Sequence, residues 1–355
     1  MTVELGIIEG FYGKPWRWQE RQALVSFLAP HGYRFYLYAP KTDAYLRRRW
    51  QETHPDDALR SLTAFADHCR GLGVRFGVGL SPYELYADFS SQSQAALATK
   101  LDRLVDLGID DLAILFDDMP SAQPDLAARQ AEIMHWVQAR VPQLRLLFCP
   151  SYYSDDPVLD RVFGQRPDGY LEALGALLDP AIEVFWTGEE VCSREISPGH
   201  LRRVSAQLAR KPFLWDNYPV NDGQRMSQFL HLRGVTGRPA ANAEMIVAHG
   251  INPALQSTLT RIPALTLAES YQQGQDYQYA AAFSRAAKLV AGEPLASQLQ
   301  RDLISLNDSG LDRIGEDRLR TLRDTYAATD HPAAREVLDW LDGGYRISDD
   351  LVQTQ

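Results

Sequence analysis

Leu112-Ala-Ile-Leu-Phe-Asp-Asp-Met-Pro120 is a short apolar run that stops on two adjacent carboxylates. A run of this length, bounded by a polar break, fits a buried strand better than a helix. Side chains of a regular strand alternate between its faces, so Asp117 and Asp118 can serve one pocket only if the strand ends there. Met119-Pro120 marks such an end, because proline has no N–H and restricts the residue before it.

Similar runs lie on both sides of this one. Upstream are Leu5–Ile8, Phe35–Tyr38 and Arg75–Leu80; downstream are Leu144–Cys149, Ile182–Trp186 and Phe213–Trp215, with a weaker eighth near Met245–Ala248. Their starts are roughly 30 to 40 residues apart, the size of one βα unit. Amphipathic stretches of helical length fall between them, at Arg17–Leu28, Asp57–Leu72, Gln92–Leu107, Pro124–Ala139, His200–Ala209 and Gln224–Leu232. Alternating strands and helices predict a parallel sheet, here an α/β fold closed as a (β/α)8 TIM barrel. An open doubly wound sheet is the alternative, but no Gly-x-Gly-x-x-Gly follows the first run. Residues 1–270 are assigned to the barrel. Residues 271–355 are assigned to a small helical C-terminal extension, with helical stretches near Ala280–Ala291, Ala296–Leu306 and Arg318–Tyr326. The extension is expected to pack on the barrel or to make a homodimer contact, and the last ten or so residues to be disordered.

Barrel enzymes place their sites at the carboxyl ends of the strands. In this chain polar and aromatic residues gather there: Glu9 to Gly13, Ala39 to Asp43, Ser81 to Glu84, Asp117-Asp118, Pro150 to Asp156, Thr187 to Glu190 and Asp216-Asn217. Two carboxyls sharing a pocket repel when both are ionised, which is expected to push one toward its neutral form. Tyr12, Trp16, Tyr38, Tyr83, Tyr153, Trp186, Trp215 and Tyr218 all lie at or just after predicted strand ends. Flat aromatic walls with a few directed hydrogen bonds suit a sugar ring, which has apolar C–H faces and a hydroxyl rim. Lys41 and Asn217 are placed to hold hydroxyls.

Composition narrows the alternatives. The 355 residues carry a formal net charge of −10, which argues against nucleic acid as a partner. The basic run Arg47-Arg-Arg49 reads as a solvated helix face. Cys69, Cys149 and Cys192 are far apart and form no CxxC pair, which suits a reducing compartment. The eight histidines form no HxH or HExxH, so neither metal nor cofactor is expected. With no signal sequence at the start and no long apolar segment, the expected location is cytoplasmic, away from membranes.

Six stretches carry a resemblance. They are Gly6-Ile-Ile-Glu-Gly-Phe-Tyr-Gly-Lys-Pro-Trp16, Tyr38-Ala-Pro-Lys-Thr-Asp43, Phe116-Asp-Asp118, Phe185-Trp-Thr-Gly188, Trp215-Asp-Asn-Tyr-Pro-Val-Asn-Asp222 and Asn252-Pro253. In this order the chain resembles glycoside hydrolase family 84, the O-GlcNAcases and bacterial hyaluronidase-like β-N-acetylglucosaminidases. The resemblance implies a (β/α)8 barrel and a retaining exo-acting hydrolase of terminal β-linked N-acetylglucosamine. It implies substrate-assisted catalysis, in which the 2-acetamido oxygen attacks the anomeric carbon and forms an oxazoline. Asp117 would then hold the acetamido N–H, and Asp118 would protonate the leaving oxygen and later deprotonate water. Tyr153 matches a tyrosine that bonds the acetamido group. Gly10, Phe11, Tyr12, Lys41, Thr187, Trp215, Asn217, Asp222 and Asn252 fall within or beside the matching motifs as substrate contacts or pocket walls. The partner implied is a glycoside, glycan or glycopeptide bearing N-acetylglucosamine. The chain departs from the family pattern at Thr42, in Pro150-Ser-Tyr-Tyr153 and at Glu189-Glu190, which bears on leaving-group preference.

Overall fold

The computed structural model describes residues 3–120 and 123–348. Eight strands form a closed parallel barrel in sequence order. They are β1 (Glu4–Glu9), β2 (Tyr33–Tyr38), β3 (Arg75–Leu80), β4 (Asp111–Leu115), β5 (Arg145–Cys149), β6 (Glu183–Trp186), β7 (Phe213–Asp216) and β8 (Ala248–Ile251). β8 pairs back onto β1, with Gly6 opposite Gly250. Those two glycines leave room for bulky neighbours: a Cβ on Gly6 would lie 2.3 Å from the Phe35 ring, and one on Gly250 would lie 2.4 Å from Ile8. Phe35, Phe213, Phe185 and Trp215 then pack edge to face in succession, 4.9 to 5.3 Å between centroids. The barrel interior is therefore a filled core whose last aromatic, Trp215, faces the site described below.

Around the barrel lie α1 (Trp18–Leu28), α2 (Asp56–Gly71), α3 (Ser91–Asp106), α4 (Leu126–Arg140), α5 (Pro157–Phe163), α6 (Tyr170–Leu177), α7 (Pro198–Gln207) and α8 (Arg261–Gln273). The chain continues through α9 (Tyr279–Ala291), α10 (Glu293–Leu303), a wide π turn at Ile304–Ser309, α11 (Glu316–Ala327) and α12 (Pro332–Leu341). The expectation of disorder at the C-terminus falls largely on 349–355, outside the described residues.

Three local expectations are corrected. The eighth strand is Ala248–Ile251, three residues beyond the predicted start. It contains His249, a polar residue buried between two partners, the Asp216 carboxylate at 3.0 Å and the Tyr271 hydroxyl at 2.8 Å. Gln224–Leu232 is not a helix beyond one tight turn at Met226–Gln228. Its backbone bonds outward instead: Leu230 N–H donates to the Leu306 carbonyl, and Leu232 N–H to Asn307 Oδ1. Arg47-Arg-Arg49 is no solvated helix face, since Arg47 is only 4% exposed. Helix α8 escaped the sequence pattern because it is buried almost all round, with no polar stripe to reveal its period.

The two ends of the barrel differ in kind. At the amino ends, Glu4, Arg75, Asp111, Arg145 and Glu183 start their strands and pair with one another. Arg75 meets Glu4 at 2.5 Å and Asp111 at 3.2 Å, and Arg145 meets Glu183 at 2.6 Å. At the carboxyl ends the long loops are tied to the C-terminal helices. Trp340 Nε1 donates to the Ser227 carbonyl, and Ile347 N–H donates to Ser227 Oγ. Glu336 of α12 accepts from the Thr258 and Leu259 amides at 2.7 and 2.8 Å, just ahead of α8.

Candidate active site

β4 ends at Leu115, yet Phe116 N–H still bonds the Cys149 carbonyl of β5 at 2.9 Å. The chain then turns sharply, with Asp118 in the left-handed region at φ 55°. That conformation is unfavourable for a residue with a Cβ and persists only where surroundings impose it. It breaks the strand alternation, and both carboxylates line one cavity.

Lys41, from the end of β2, is buried and its ammonium donates to Asp117 Oδ2. The same nitrogen lies 3.9 Å from Asp118 Oδ2. Asp117 Oδ1 is buried and has no hydrogen-bond partner among the described residues. Asp118 is dressed quite differently. Tyr12 OH donates to its Oδ2 at 3.0 Å, and Tyr153 OH donates to its Oδ1 at 2.9 Å. Arg47 Nη2 donates to the Asp118 main-chain carbonyl at 3.0 Å, bracing the strained residue from below the carboxylate.

The electrostatics follow from these contacts. Burial pushes Asp118 up, but the Lys41 and Arg47 cations and the two tyrosine hydroxyls outweigh it and hold the carboxyl below its usual range. Repulsion within the pair therefore does not make Asp118 the neutral partner. Burial, together with the Asp118 charge, raises Tyr12 and Tyr153 well above 10, so both stay protonated donors. Asp222 is the acid that moves toward neutrality. Burial raises it to about 6, the Asp118 charge adds to this, and the Tyr12 N–H that it accepts at 2.9 Å opposes it.

A chain of amides lines the opposite wall. Gly10 N–H donates to Asn252 Oδ1 at 3.2 Å, Asn252 Nδ2 to Asn217 Oδ1 at 2.9 Å, and Asn217 Nδ2 to the Val191 carbonyl at 2.8 Å. This directionality fixes which end of each amide is oxygen and leaves spare capacity on both side chains for a ligand's hydroxyls. Trp215 forms a flat wall against Gly10. A Cβ on Gly10 would lie 2.2 Å from Trp215 Cζ2, so only glycine permits that approach. Thr187 bonds the Tyr153 carbonyl through its own N–H at 3.0 Å, holding the tyrosine-bearing loop to β6.

The cavity holds about 530 Å³, within the range of small-molecule sites. Gly10, Tyr12, Lys41, Asp117, Asp118, Tyr153, Thr187, Trp215, Asn217, Asp222 and Asn252 all line it. Phe11 does not. Its ring is fully buried and packs on Trp16 at 5.1 Å, while its carbonyl accepts from Lys41 N–H. Residues 10 and 12 face the cavity and residue 11 faces the core, as alternation at a strand end requires. The eight aromatics also divide. Tyr12, Tyr83, Tyr153 and Trp215 line the cavity, whereas Trp16, Tyr38, Trp186 and Tyr218 are absent from its lining. Trp186, for example, is fully buried with its Nε1 on His200. Sequence reasoning missed Arg47, Arg48, Val162, Phe163 and Cys192 in the lining. For Arg47 a signal existed, since an arginine six residues beyond a strand-end lysine lies in the same loop. Among the described residues no group of three or more His, Cys, Asp or Glu side chains is arranged to hold a metal ion, and no helix is long and apolar enough to cross a membrane.

Comparison with known proteins gives a consistent result. Residues 5–305 match the family model described as beta-N-acetylglucosaminidase. Over 235 residues the chain is 33% identical to Protein O-GlcNAcase of Mus musculus and, equally, of Rattus norvegicus, covering 63% of this chain. The chain spans about a quarter of the length of those relatives, 25% in each case. Among solved structures it is similar to a mutant of the O-GlcNAc hydrolase of Thermobaculum terrenum. The TM-score is 0.79 and the identity 28%, covering 95% of this chain and 80% of that one.

Proposed function

This chain belongs to the beta-N-acetylglucosaminidase family, and from that premise we propose that it is a retaining exo-β-N-acetylglucosaminidase using substrate-assisted catalysis. The observation that carries the reading is the unequal dress of two adjacent acids in one cavity. Asp117 keeps a buried oxygen without a partner among the described residues, and Asp118 keeps a shell of proton donors. A buried acceptor left unpaired costs about 1–3 kcal/mol. An acetamido N–H from the substrate would satisfy Asp117 Oδ1 and leave the acetamido oxygen free to turn toward the anomeric carbon. That oxygen is then the nucleophile, held in place by the enzyme. Such an intramolecular reaction can lower the barrier by up to about 7–11 kcal/mol.

Asp118 serves as the acid and then the base. Lys41, Arg47 and the two tyrosines favour its ionised form, so substrate binding must help to protonate it. Tyr153 offers the route. If its hydroxyl transfers from Asp118 Oδ1 to the acetamido oxygen, the carboxylate loses one of the bonds that stabilise its charge. Filling the cavity also removes water from it. Both changes raise its pKa where a proton is needed for the leaving oxygen. Lys41 stays on Asp117, holding that side chain in place beside the developing oxazolinium charge. Trp215 supplies the sugar's apolar wall, and Asn217, Asn252 and Asp222 supply partners for its hydroxyls.

The test is hydrolysis of an aryl β-N-acetylglucosaminide followed by NMR. The expected first product is the β-anomer, with competitive inhibition by a thiazoline that mimics the oxazoline. An α-anomer as first product would overturn the reading.

A further inference from the structure

The cavity is larger than its sugar-holding wall. Beyond Asp118, on the side away from Trp215 and the amide chain, its lining is cationic and aromatic. Arg47 is 4% exposed. Its Nη2 is engaged by the Asp118 carbonyl at 3.0 Å, with Tyr12 OH at 3.5 Å, while Nε and Nη1 are buried with no partner among the described residues. Arg48 is exposed on the same wall. Both guanidinium groups lie against one ring, Tyr83, at 5.6 and 4.6 Å from its centroid. Such stacking fixes the planes of two forked donors at modest cost. The three acids of the cavity lining have partners elsewhere: Asp117 on Lys41, Asp118 on two tyrosines, and Asp222 on the Tyr12 amide. No other acid lines the cavity among the described residues.

We propose that Arg47, Arg48 and Tyr83 form a leaving-group subsite for a carboxylate carried next to the glycosidic oxygen, so that the preferred aglycone is acidic. The proposal rests on the glycosidase reading, with Asp118 as the group that meets the leaving oxygen. A carboxylate suits a guanidinium because two parallel N–H donors can meet its two oxygens. An anion there has a second consequence. It offsets the Arg47 charge that helps to hold Asp118 ionised, so an acidic aglycone promotes protonation of the acid that must release it. An aspartate or glutamate flanking a glycosylated hydroxyl residue presents this chemistry, and so does a uronic acid linked through a ring hydroxyl.

The experiment uses two β-N-acetylglucosaminides of equal shape, with 3-carboxyphenyl and 3-carbamoylphenyl leaving groups, on the whole chain and on Arg48→Gln. Arg48 is exposed, so the substitution leaves the core intact, and it lies outside the proposed catalytic pair. The expected result is that the carboxylate-to-amide ratio of kcat/KM falls about tenfold in the variant while the amide substrate changes less than about twofold. High salt should erode the same ratio in the native chain. An identical ratio in both proteins overturns the subsite and leaves the glycosidase reading standing. Failure of the native chain to hydrolyse either substrate instead overturns the glycosidase reading. Two further pairs, an acidic against a neutral glycopeptide and a uronic-acid against a glucose disaccharide, identify the source of the carboxylate. A preference in either pair supports the subsite, and none in both counts against it.

Discussion

Both ends of the barrel carry charges, but only the carboxyl ends leave buried charged side chains with unpaired atoms among the described residues. At the amino ends, Arg75 and Arg145 are each met by carboxylates from neighbouring strands. At the carboxyl ends, Asp117 Oδ1 and two nitrogens of Arg47 are buried without partners among the described residues, Asp118 is in a left-handed conformation, and Asp222 is pushed to about 6. The amino end pairs its charges within itself, whereas the cavity at the carboxyl end keeps buried polar atoms available to a ligand. Unpaired buried groups and strained backbone are what a ligand site stores and a structural end avoids.

The largest effects should come from the proposed catalytic pair, Asp117 and Asp118. Asp118→Ala is expected to lower kcat/KM about 10²–10⁴-fold on an alkyl glycoside and far less on a dinitrophenyl glycoside, whose departure needs little acid help. Equal losses on both would remove Asp118 from the role of acid. Asp117→Asn should lose at least about a hundredfold on both substrates, because its work precedes departure of the leaving group. Next is Gly10→Ala. Its methyl would lie 2.2 Å from Trp215, so the wall must move, and an Å-scale misplacement costs up to about a hundredfold in rate. A rise in KM with an unchanged melting temperature would locate the damage in the site.

Smaller effects should separate the two ends. Asp111→Asn breaks the paired end, whose Asp111 side chain is 4% exposed. It should cost about 1–3 kcal/mol in a denaturant titration and leave kcat/KM within about twofold. A specific loss of activity would blur the division. Asp222→Asn should do the reverse. Folding favours the neutral form of Asp222, so its ionised form is a liability that grows as pH rises from the unfolded value through about 6. The variant should melt higher than the native chain at pH 8, with the gain shrinking below pH 6, while activity falls at both.

The barrel, and the meeting of Asp117 and Asp118 in one cavity, were legible because their signals are local. Strand-length runs such as Leu112–Phe116, followed by polar loops, need no tertiary knowledge. What could not be read depended on partners far along the chain. Ala248–Ile251 looks unlike a strand until Asp216 and Tyr271 are present to satisfy His249. Gln224–Leu232 has helical spacing, but Leu306 and Asn307 hold its backbone in another shape. Arg47 reads as one member of a solvated basic run, and only the positions of Asp118 and Tyr83 turn it inward. The environment of Asp118 was hidden for the same reason. Adjacency to Asp117 is visible in the sequence, whereas the cations and hydroxyls that outweigh the burial of Asp118 come from the loops after β1, β2 and β5.

The most direct test of the account is kcat/KM for aryl glycosides whose acetamido group carries none, one, two or three fluorine atoms. Fluorine weakens the carbonyl oxygen as a nucleophile without changing the leaving group. The account predicts a steep, monotonic fall across the series in the native chain. A flat series would show that the substrate's own oxygen takes no part in the displacement, and would contradict the division of labour assigned to Asp117 and Asp118.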